Sequence, residues 1–219
     1  PVVPVVEFPS LEAGLRETGG RVPFLVPQCR EINIDATRFH ALLEREPQPL
    51  FGHVEITETK DETLYIEPLE AARRLRDNTL DLAILDSPIH APGDLFPDAL
   101  RSLLRPLPEE QREYECCYAM TRAQQVTSFH ADPDFGGGYL HLVEGEKFWW
   151  FVDPADASLD ALLNRTIARV LTQDRFRLWG KVQVAHLRGG GCVYFPPSWI
   201  HRIFTYKASY GVSGYLALA

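Results

Sequence analysis

The sequence predicts a mainly β fold, a double-sheet jelly roll or barrel, with a mixed α/β amino-terminal region packed outside it. The chain has 219 residues, enough for one large domain with a buried core. Its 17 prolines and 15 glycines divide it into short segments, which favours strands over long helices. We expect residues 1–112 to form the support region and residues 113–219 the β core of one composite domain.

Eight segments of the carboxy-terminal half are β-rich, with the β-branched and aromatic residues that are typical of strands. They are Tyr114–Thr121, Gln125–His130, Tyr139–Val143, Lys147–Val152, Val182–Leu187, Cys192–Phe195, Ile200–Tyr206 and Tyr210–Leu218. Most of them are separated by Gly, Pro, Asp or Ser. One helix is predicted among them, over Ser158–Leu171, because its apolar residues recur at helical spacing.

The first half mixes short helices and strands. Asp35 stands before a run with apolar residues on one face, so we expect it to cap a helix over Ala36–Leu43. Pro68 lies in the first turn of a second predicted helix, Glu67–Arg76. The remaining predicted elements are strands over Val22–Pro27 and Leu80–Leu85 and a short helix over Pro97–Leu104.

The composition excludes several classes of function. There are 22 basic and 30 acidic residues, a net charge of −8, so the chain lacks the basic surface with which proteins bind nucleic-acid phosphates. We therefore expect no direct sequence-specific binding of nucleic acid. No apolar stretch approaches the ~18–20 residues of a membrane span, and no amino-terminal signal pattern is present, so neither a membrane nor secretion is predicted.

The four cysteines form no C-x-x-C pair; they are Cys29, Cys116, Cys117 and Cys192. We therefore expect neither a structural zinc site nor a disulfide framework. The prediction is buried, reduced thiols in an intracellular protein, nuclear or cytoplasmic. The oligomeric state is left open.

Two His-x-acid pairs are candidate metal ligands, because side chains two residues apart on a strand lie on one face. His53-x-Glu55 lies in an alternating polar and apolar run, which a solvated edge strand explains. His130-x-Asp132 is followed by the glycines 136–138, which allow the backbone to approach a bound group closely. A polar loop is the alternative explanation of this second pair.

A second histidine from a distant strand would complete the triad of two histidines and one carboxylate that is typical of non-haem Fe(II) oxygenases. His201 follows the rigid turn Pro196–Pro197 and stands beside Trp199 and Ile200, so its orientation is fixed. A histidine satisfied within the core is the alternative. His186 competes as the third ligand, but it lies in an ordinary alternating strand, and we prefer His201.

Lys147 heads the aromatic run Phe148–Phe151, and burial of an unpaired ammonium is costly. We predict that Lys147 faces into the barrel and binds an acidic ligand such as a dicarboxylate, with help from the Thr127 hydroxyl. The alternative is a lysine that reaches solvent from the strand end and pairs with Glu144 or Glu146.

Four strings, in order, carry a family resemblance: Thr127–Asp132, Phe135–Gly137, Gly145–Lys147 and Pro197–His201. With them the sequence resembles the JmjC oxygenases, which are Fe(II)- and 2-oxoglutarate-dependent enzymes with a cupin-like double-stranded β-helix. Within that family it is most similar to the histone lysine demethylases often linked to PHD or CXXC fingers. Lys147 follows His130 by 17 residues and His201 follows it by 71, which fits the family.

The resemblance implies a role for each of these residues. His130, Asp132 and His201 would bind iron, and Thr127 and Lys147 would hold the distal carboxylate of 2-oxoglutarate. The 2-oxo acid would take two further positions of the octahedral metal and the last would be open to O₂, with ascorbate as an external reductant.

Two positions depart from the pattern of the most similar relatives. Their tyrosine ten residues after the first metal-binding histidine, which contacts 2-oxoglutarate, is replaced by Leu140, with Tyr139 beside it. Their asparagine fourteen residues after the second histidine is replaced by Tyr215, and Ser213 falls on the same strand face. We take Tyr139 and Ser213 as candidate contacts of the cosubstrate.

The resemblance implies an oxygenase that acts on protein, and the first hypothesis is demethylation of N-methyl-lysine in histone tails. A protein side-chain hydroxylase is the second. A catalytically silent metal-binding cupin that serves as an interaction module is the third, and a cupin isomerase or sugar-binding enzyme is the fourth. Formaldehyde release separates the first from the second, and iron-dependent succinate production separates both from the others.

Overall fold

The computed structural model describes residues 2–57, 60–132, 136–153 and 182–219. Its described helices are α1 (Leu11–Thr18), α2 (Ala36–Arg45), α3 (Pro68–Arg76) and α4 (Asp98–Arg101), with a 3-10 helix over Glu109–Glu115. None of these helices has the length and apolar character needed to cross a bilayer.

The described strands make the fold mainly β, as the sequence predicts. They are β1 (Val2–Pro4), β2 (Val6–Glu7), β3 (Phe24–Val26), β4 (Leu50–Thr57), β5 (Lys60–Ile66), β6 (Ile84–Pro88), β7 (Leu104–Arg105), β8 (Cys117–Thr121), β9 (Gln125–Ala131), β10 (Gly137–Val152), β11 (Val182–Arg188), β12 (Cys192–Phe195) and β13 (Ile200–Leu218). Within the described ranges, one 11-stranded sheet contains all of them except the hairpin of β4 and β5.

The two longest strands, β10 and β13, pair with each other and connect two halves of the large sheet. The first half has the order β12, start of β10, end of β13, β8. The second half has the order β11, end of β10, start of β13, β9. Apolar side chains of both halves meet in one cluster, the inner core, which includes Leu140, Trp149, Phe151, Val193 and Ile203. The two halves therefore face each other across the inner core.

The pairing of β10 with β13 is irregular where the two halves meet. Its register shifts three times between Leu142 and Lys147, as happens at β-bulges. Gly145 lies in this stretch with a φ of 110°, a conformation that residues with a Cβ rarely adopt. The sequence predicts two strands on either side of this point, whereas the backbone pairing continues through it and makes one strand of each pair.

The amino-terminal helices pack on the other side of the first half. They bury apolar residues in a second cluster, the outer core, which includes Leu15, Phe39, Leu75, Tyr118 and Tyr139. Asp35 caps α2 as predicted, because its carboxylate accepts a hydrogen bond from the backbone N–H of Arg38 at 2.8 Å. The second predicted helix is α3, and it begins at Pro68.

Strand pairs cross the predicted division between residues 112 and 113. The amino-terminal strands β1, β3, β6 and β7 pair with β11, β12, β8 and β13, respectively. The amino-terminal region is thus part of the large sheet as well as a cover for it.

Some predicted strands begin at other residues than expected, and some observed elements were not predicted. The strand predicted over Leu80–Leu85 forms instead as β6, and the strand predicted from Tyr114 begins at Cys117 because the preceding residues form the 3-10 helix. Helix α1 was not predicted, although Ser10 accepts a hydrogen bond from Ala13 N–H and Gly19 ends the helix in the left-handed region. The predicted helix Ser158–Leu171 lies outside the described residues. All four cysteines are free and buried, as predicted.

Candidate metal centre

A β-bulge positions the first histidine. Strand β9 pairs His130 with His201 and Thr127 with Ile203, so three residues of β9 match two of β13. This irregularity turns both Thr127 and His130 to the side of the inner core, where Ile203 lies. The His130 ring is oriented by the carbonyl of Ser128, which lies 2.8 Å from Nδ1. Because Nδ1 donates there, Nε2 is left with a lone pair for a ligand.

His201 is held in the same manner from the opposite strand. Its Nδ1 lies 3.1 Å from the carbonyl oxygen of Trp199, so Nε2 is again the free nitrogen. The ring is 1% exposed and packs against Phe195 and Trp149, with ring centroids 4.5 Å and 5.4 Å away. The aromatic neighbours confirm the predicted fixed orientation of this histidine.

Asp132 lies between the two histidines. Its Oδ1 is 3.4 Å from His130 Nε2 and 3.9 Å from His201 Nε2. One ligand atom from each residue lies within 4.8 Å of the others, the spacing expected of donors about 2.1 Å from one ion. Within the described ranges this is the one group of His, Cys, Asp or Glu side chains with such spacing. The sequence predicted all three members.

The pKa shifts of His201 and Asp132 suit metal ligands, whereas that of His130 favours its protonated form, which a metal would have to displace. Burial lowers the pKa of His201 to about 4, with the neighbouring His130 acting in the same direction, so its ring is neutral at pH 7. Burial opposes ionisation of Asp132, but His201, His130 and a hydrogen bond from Tyr215 outweigh it and lower its pKa. Burial also disfavours the charged form of His130, and the hydrogen bond and charge of Asp132 reverse this and raise its pKa.

A cavity of about 60 Å³ opens at the triad, and it also exposes Asp86, Ser213 and Tyr215. The volume is several times the ~10–15 Å³ that one water molecule needs, so there is room for an ion and for ligand atoms beside it. The Ser213 hydroxyl lies at this cavity and donates to the carbonyl of Leu85 at 2.6 Å. Sequence reasoning missed Asp86 because β6 was predicted to end before it.

Tyr139 lines the cavity, but most of its side chain lies on the other side of the sheet. Its side chain packs in the outer core, and its hydroxyl donates to the carbonyl of Glu115 at 3.0 Å. The next residue, Leu140, belongs to the inner core instead, as strand alternation requires. That Tyr139 contacts the cosubstrate stays a prediction, and its hydroxyl is already hydrogen-bonded to Glu115.

Lys147 is buried on the inner side of β10. It is 2% exposed, and its cross-strand neighbour Leu187 belongs to the inner core. Its ammonium donates to the hydroxyls of Thr121 and of Thr205, the latter at 2.9 Å. Burial lowers its pKa to about 7. Within the described part of the chain no carboxylate pairs with it, so a buried cation is left without a counter-ion.

The predicted partners of Lys147 differ from the observed ones. The hydroxyls bonded to it are those of Thr121 and Thr205, and the help of Thr127 in binding the ligand stays a prediction. The alternative pairing with Glu146 is wrong, because Glu146 binds Lys207 at 2.8 Å and His186 at 2.6 Å. The two threonines were identifiable in principle, since Thr205 lies four residues after His201 and therefore shares its strand face.

Two further buried polar atoms lie on neighbouring strands near Lys147. Nε1 of Trp149 and Oε1 of Gln125 have no hydrogen-bond partner within the described ranges. Trp149 is two residues from Lys147 on β10, and Gln125 is paired with Thr205. A buried ammonium, two hydroxyls and an unpartnered indole N–H together fit a carboxylate, which accepts several hydrogen bonds.

The competing histidines lie elsewhere. The ring of His186 stacks on Phe148 at 4.2 Å and its Nε2 contacts Glu146. His53 lies on the separate hairpin, where its Nδ1 is 3.4 Å from the hydroxyl of Thr63. Neither histidine belongs to the triad.

The glycine run after Asp132 accommodates protein side chains. A Cβ at Gly137 would lie 2.2 Å from the hydroxyl oxygen of Tyr194, and one at Gly138 would lie 2.2 Å from Cζ of Phe195. The close approach expected at these glycines is therefore made by two aromatic rings of β12, one of which lines the cavity.

The donor set fits a divalent transition metal such as Fe(II), because two imidazoles and one carboxylate leave further coordination positions open. The Lys147 cluster fits the distal carboxylate of 2-oxoglutarate. Compared with models of known protein families, the chain matches none. The search of curated proteins likewise finds no match.

Proposed function

We propose that this protein is an Fe(II)- and 2-oxoglutarate-dependent dioxygenase that acts on protein. One observation carries the proposal: the inner side of one sheet bears both a His-Asp-His triad at a cavity and a buried ammonium without a counter-ion. The first suits a metal with open positions, and the second suits the far carboxylate of a dicarboxylate cosubstrate.

The finer fold in this proposal is a jelly roll of the cupin-like, double-stranded β-helix type. Support comes from the strand orders in the two halves. When β10 and β13 are each divided at their irregular middle, eight strands result, four in each half. Successive strands mostly alternate between the halves, and two facing four-stranded sheets form a jelly roll.

In the proposed enzyme, His130, Asp132 and His201 hold the iron, and Lys147 with Thr121 and Thr205 holds the distal carboxylate of 2-oxoglutarate. When bound, iron and 2-oxoglutarate supply the oxidising chemistry, in which O₂ and 2-oxoglutarate are consumed, succinate and CO₂ are released and a C–H bond is hydroxylated. Thr127 and Ser213 remain proposed cosubstrate contacts, and ascorbate is the proposed reductant.

Groups of the chain itself orient the metal ligands and exclude water from the triad. Carbonyls of Ser128 and Trp199 fix the tautomers of the two histidines so that both Nε2 atoms face Asp132. The Tyr215 hydroxyl donates to Asp132 and favours its ionised form. Trp149 and Phe195 line the cavity and exclude water from one side of the triad.

The proposed reaction is hydroxylation of an N-methyl group of lysine, with histone tails as the proposed substrate and a nuclear or cytoplasmic location. The hydroxymethyl amine then releases formaldehyde. The alternative reaction is hydroxylation of a side-chain carbon, in which the alcohol persists. A silent metal-binding cupin would release no succinate.

Mass spectrometry of a histone-peptide panel tests the proposal, after incubation with Fe(II), 2-oxoglutarate and ascorbate. We expect a loss of about 14 mass units per methyl group; a gain of about 16 would identify the hydroxylase instead. Succinate is quantified in parallel, with His130→Ala as the control. No succinate above that control, with folded and iron-loaded protein, would contradict both enzymatic functions.

A further inference from the structure

Asp86 is an acidic group at the cavity that the triad does not use. It lies on β6 where the pairing with β8 shifts register between Ile84 and Ser87. Such an irregularity re-aims side chains, and Asp86 lines the same cavity as His130, Asp132 and His201. Its carboxylate is outside the group of atoms with metal-ligand spacing. Its position therefore suits contact with a molecule that enters the cavity.

The carboxylate of Asp86 has no partner of its own. Among the described residues it accepts no hydrogen bond and forms no ion pair. Burial raises its pKa to about 6, and the charge of Asp132 adds to the rise, whereas His130 and His53 lower it. A carboxylate that is largely withdrawn from water beside a second carboxylate is costly, and a nearby cation would offset that cost.

The groups that line the cavity indicate which charge a ligand of Asp86 would carry. Besides the triad, the cavity is lined by apolar and aromatic side chains and by Ser213 and Tyr215. The described ranges place no lysine or arginine on its walls. A positively charged group from outside would therefore meet Asp86 without competition from a lysine or arginine of the cavity wall.

We propose that Asp86 binds the ammonium group of the substrate side chain and directs the adjoining carbon toward the metal centre. This rests on the proposed function and makes the substrate a cationic side chain, such as N-methyl-lysine. Asp86 then selects substrate by charge, and the aromatic walls accommodate its alkyl part. A neutral side chain of the same shape binds less well, because it leaves the carboxylate unpaired.

Paramagnetic NMR tests the proposal without turnover. The protein is loaded with Mn(II) and 2-oxoglutarate, and two probes are compared: Nα-acetyl-Nε,Nε-dimethyl-lysine amide and its neutral isostere, the amide of Nα-acetyl-2-amino-7-methyloctanoic acid. Relaxation of the terminal methyl protons reports their approach to the metal. We expect relaxation of the cationic probe to be enhanced about fivefold more than that of the neutral one, as a modest charge contact implies.

The substitution Asp86→Asn should remove this preference while Mn(II) binding is retained. Asp81→Asn, which changes an exposed aspartate just before β6, should leave it intact. Equal relaxation of the two probes in the unsubstituted protein overturns the role of Asp86, and that comparison needs no variant to fold. A preference that survives in Asp86→Asn also overturns it. Absence of Mn(II) binding in the unsubstituted protein overturns the proposed function as well.

Discussion

His130 and His201 face each other across the paired strands β9 and β13, with ring centroids 4.2 Å apart. They are 71 residues apart in the chain, so their meeting depends on the register of this strand pair. Asp132, one residue beyond the end of β9, contacts both rings. One candidate metal site is thus assembled from a strand pair and the loop that leaves it.

Removal of any triad member should abolish metal binding. We expect His201→Ala to weaken Mn(II) or anaerobic Fe(II) binding by about 100-fold or more, since two ligands cannot hold the ion as three do. Isothermal calorimetry measures the change. His186→Gln is the matched control, because that histidine was the competing ligand and lies outside the triad. An equal loss in the control would refute the assignment.

Lys147→Met should abolish binding of 2-oxoglutarate without lowering the stability of the fold. Methionine fills a similar volume without a charge, so we expect the free energy of unfolding to stay the same or rise by about 1–4 kcal/mol. Binding of 2-oxoglutarate to the Mn(II)-loaded protein should be lost, because no cation remains for its distal carboxylate. Lys207→Met, at a solvent-exposed lysine, is the control. Retained 2-oxoglutarate affinity in Lys147→Met would exclude the proposed cosubstrate site.

The affinity for 2-oxoglutarate should fall as the pH rises above 7. Burial holds the pKa of free Lys147 at about 7, so above that pH the lysine is mostly neutral, and the dianion binds its protonated form. Binding therefore takes up a proton, and affinity should fall by up to about tenfold per pH unit. Calorimetry between pH 6.5 and 8.5, in two buffers of different ionisation heat, measures both the affinity and the number of protons taken up. An affinity that is constant or rises with pH is inconsistent with this role of Lys147.

Tyr215→Phe should make metal binding more sensitive to acid. Loss of the hydrogen bond from Tyr215 removes one of the effects that lower the pKa of Asp132, so protons compete with the metal at a higher pH. We expect the midpoint pH of Mn(II) release to rise, as measured by an acid titration of the Mn(II)-loaded protein. Tyr210→Phe, whose hydroxyl instead bonds Glu144, should leave the midpoint unchanged.

Gly138→Ala should destabilise the fold. The added Cβ would lie 2.2 Å from the Phe195 ring, which must then shift within a packed core, at a cost of about 1–3 kcal/mol. Chemical denaturation measures the change. Gly136→Ala should cost less, because its nearest contact would be 3.2 Å. A larger loss at Gly136 would contradict this account of the glycine run.

The local sequence predicted much of the fold and of the metal site. The cap at Asp35 and the start of α3 at Pro68 depend on groups only a few residues away, and both were predicted correctly. The two-residue spacing of His130 and Asp132, and the turn and bulky neighbours next to His201, sufficed to select all three as candidates.

The remaining features depended on contacts between distant segments. The carboxylate of Asp86 reaches the cavity only because β6 pairs irregularly with β8, and no periodic pattern predicts such a bulge. Which hydroxyls meet the Lys147 ammonium depends on the strand register that brings Thr121 and Thr205 to it. The alternation of side chains along β10 directs Leu140 to the inner core and Tyr139 to the outer core. The sequence by itself therefore determined which residues are candidates to bind a metal and a carboxylate, and only the tertiary structure decided their partners, because hydrogen bonds and ion pairs require atoms within about 3–4 Å.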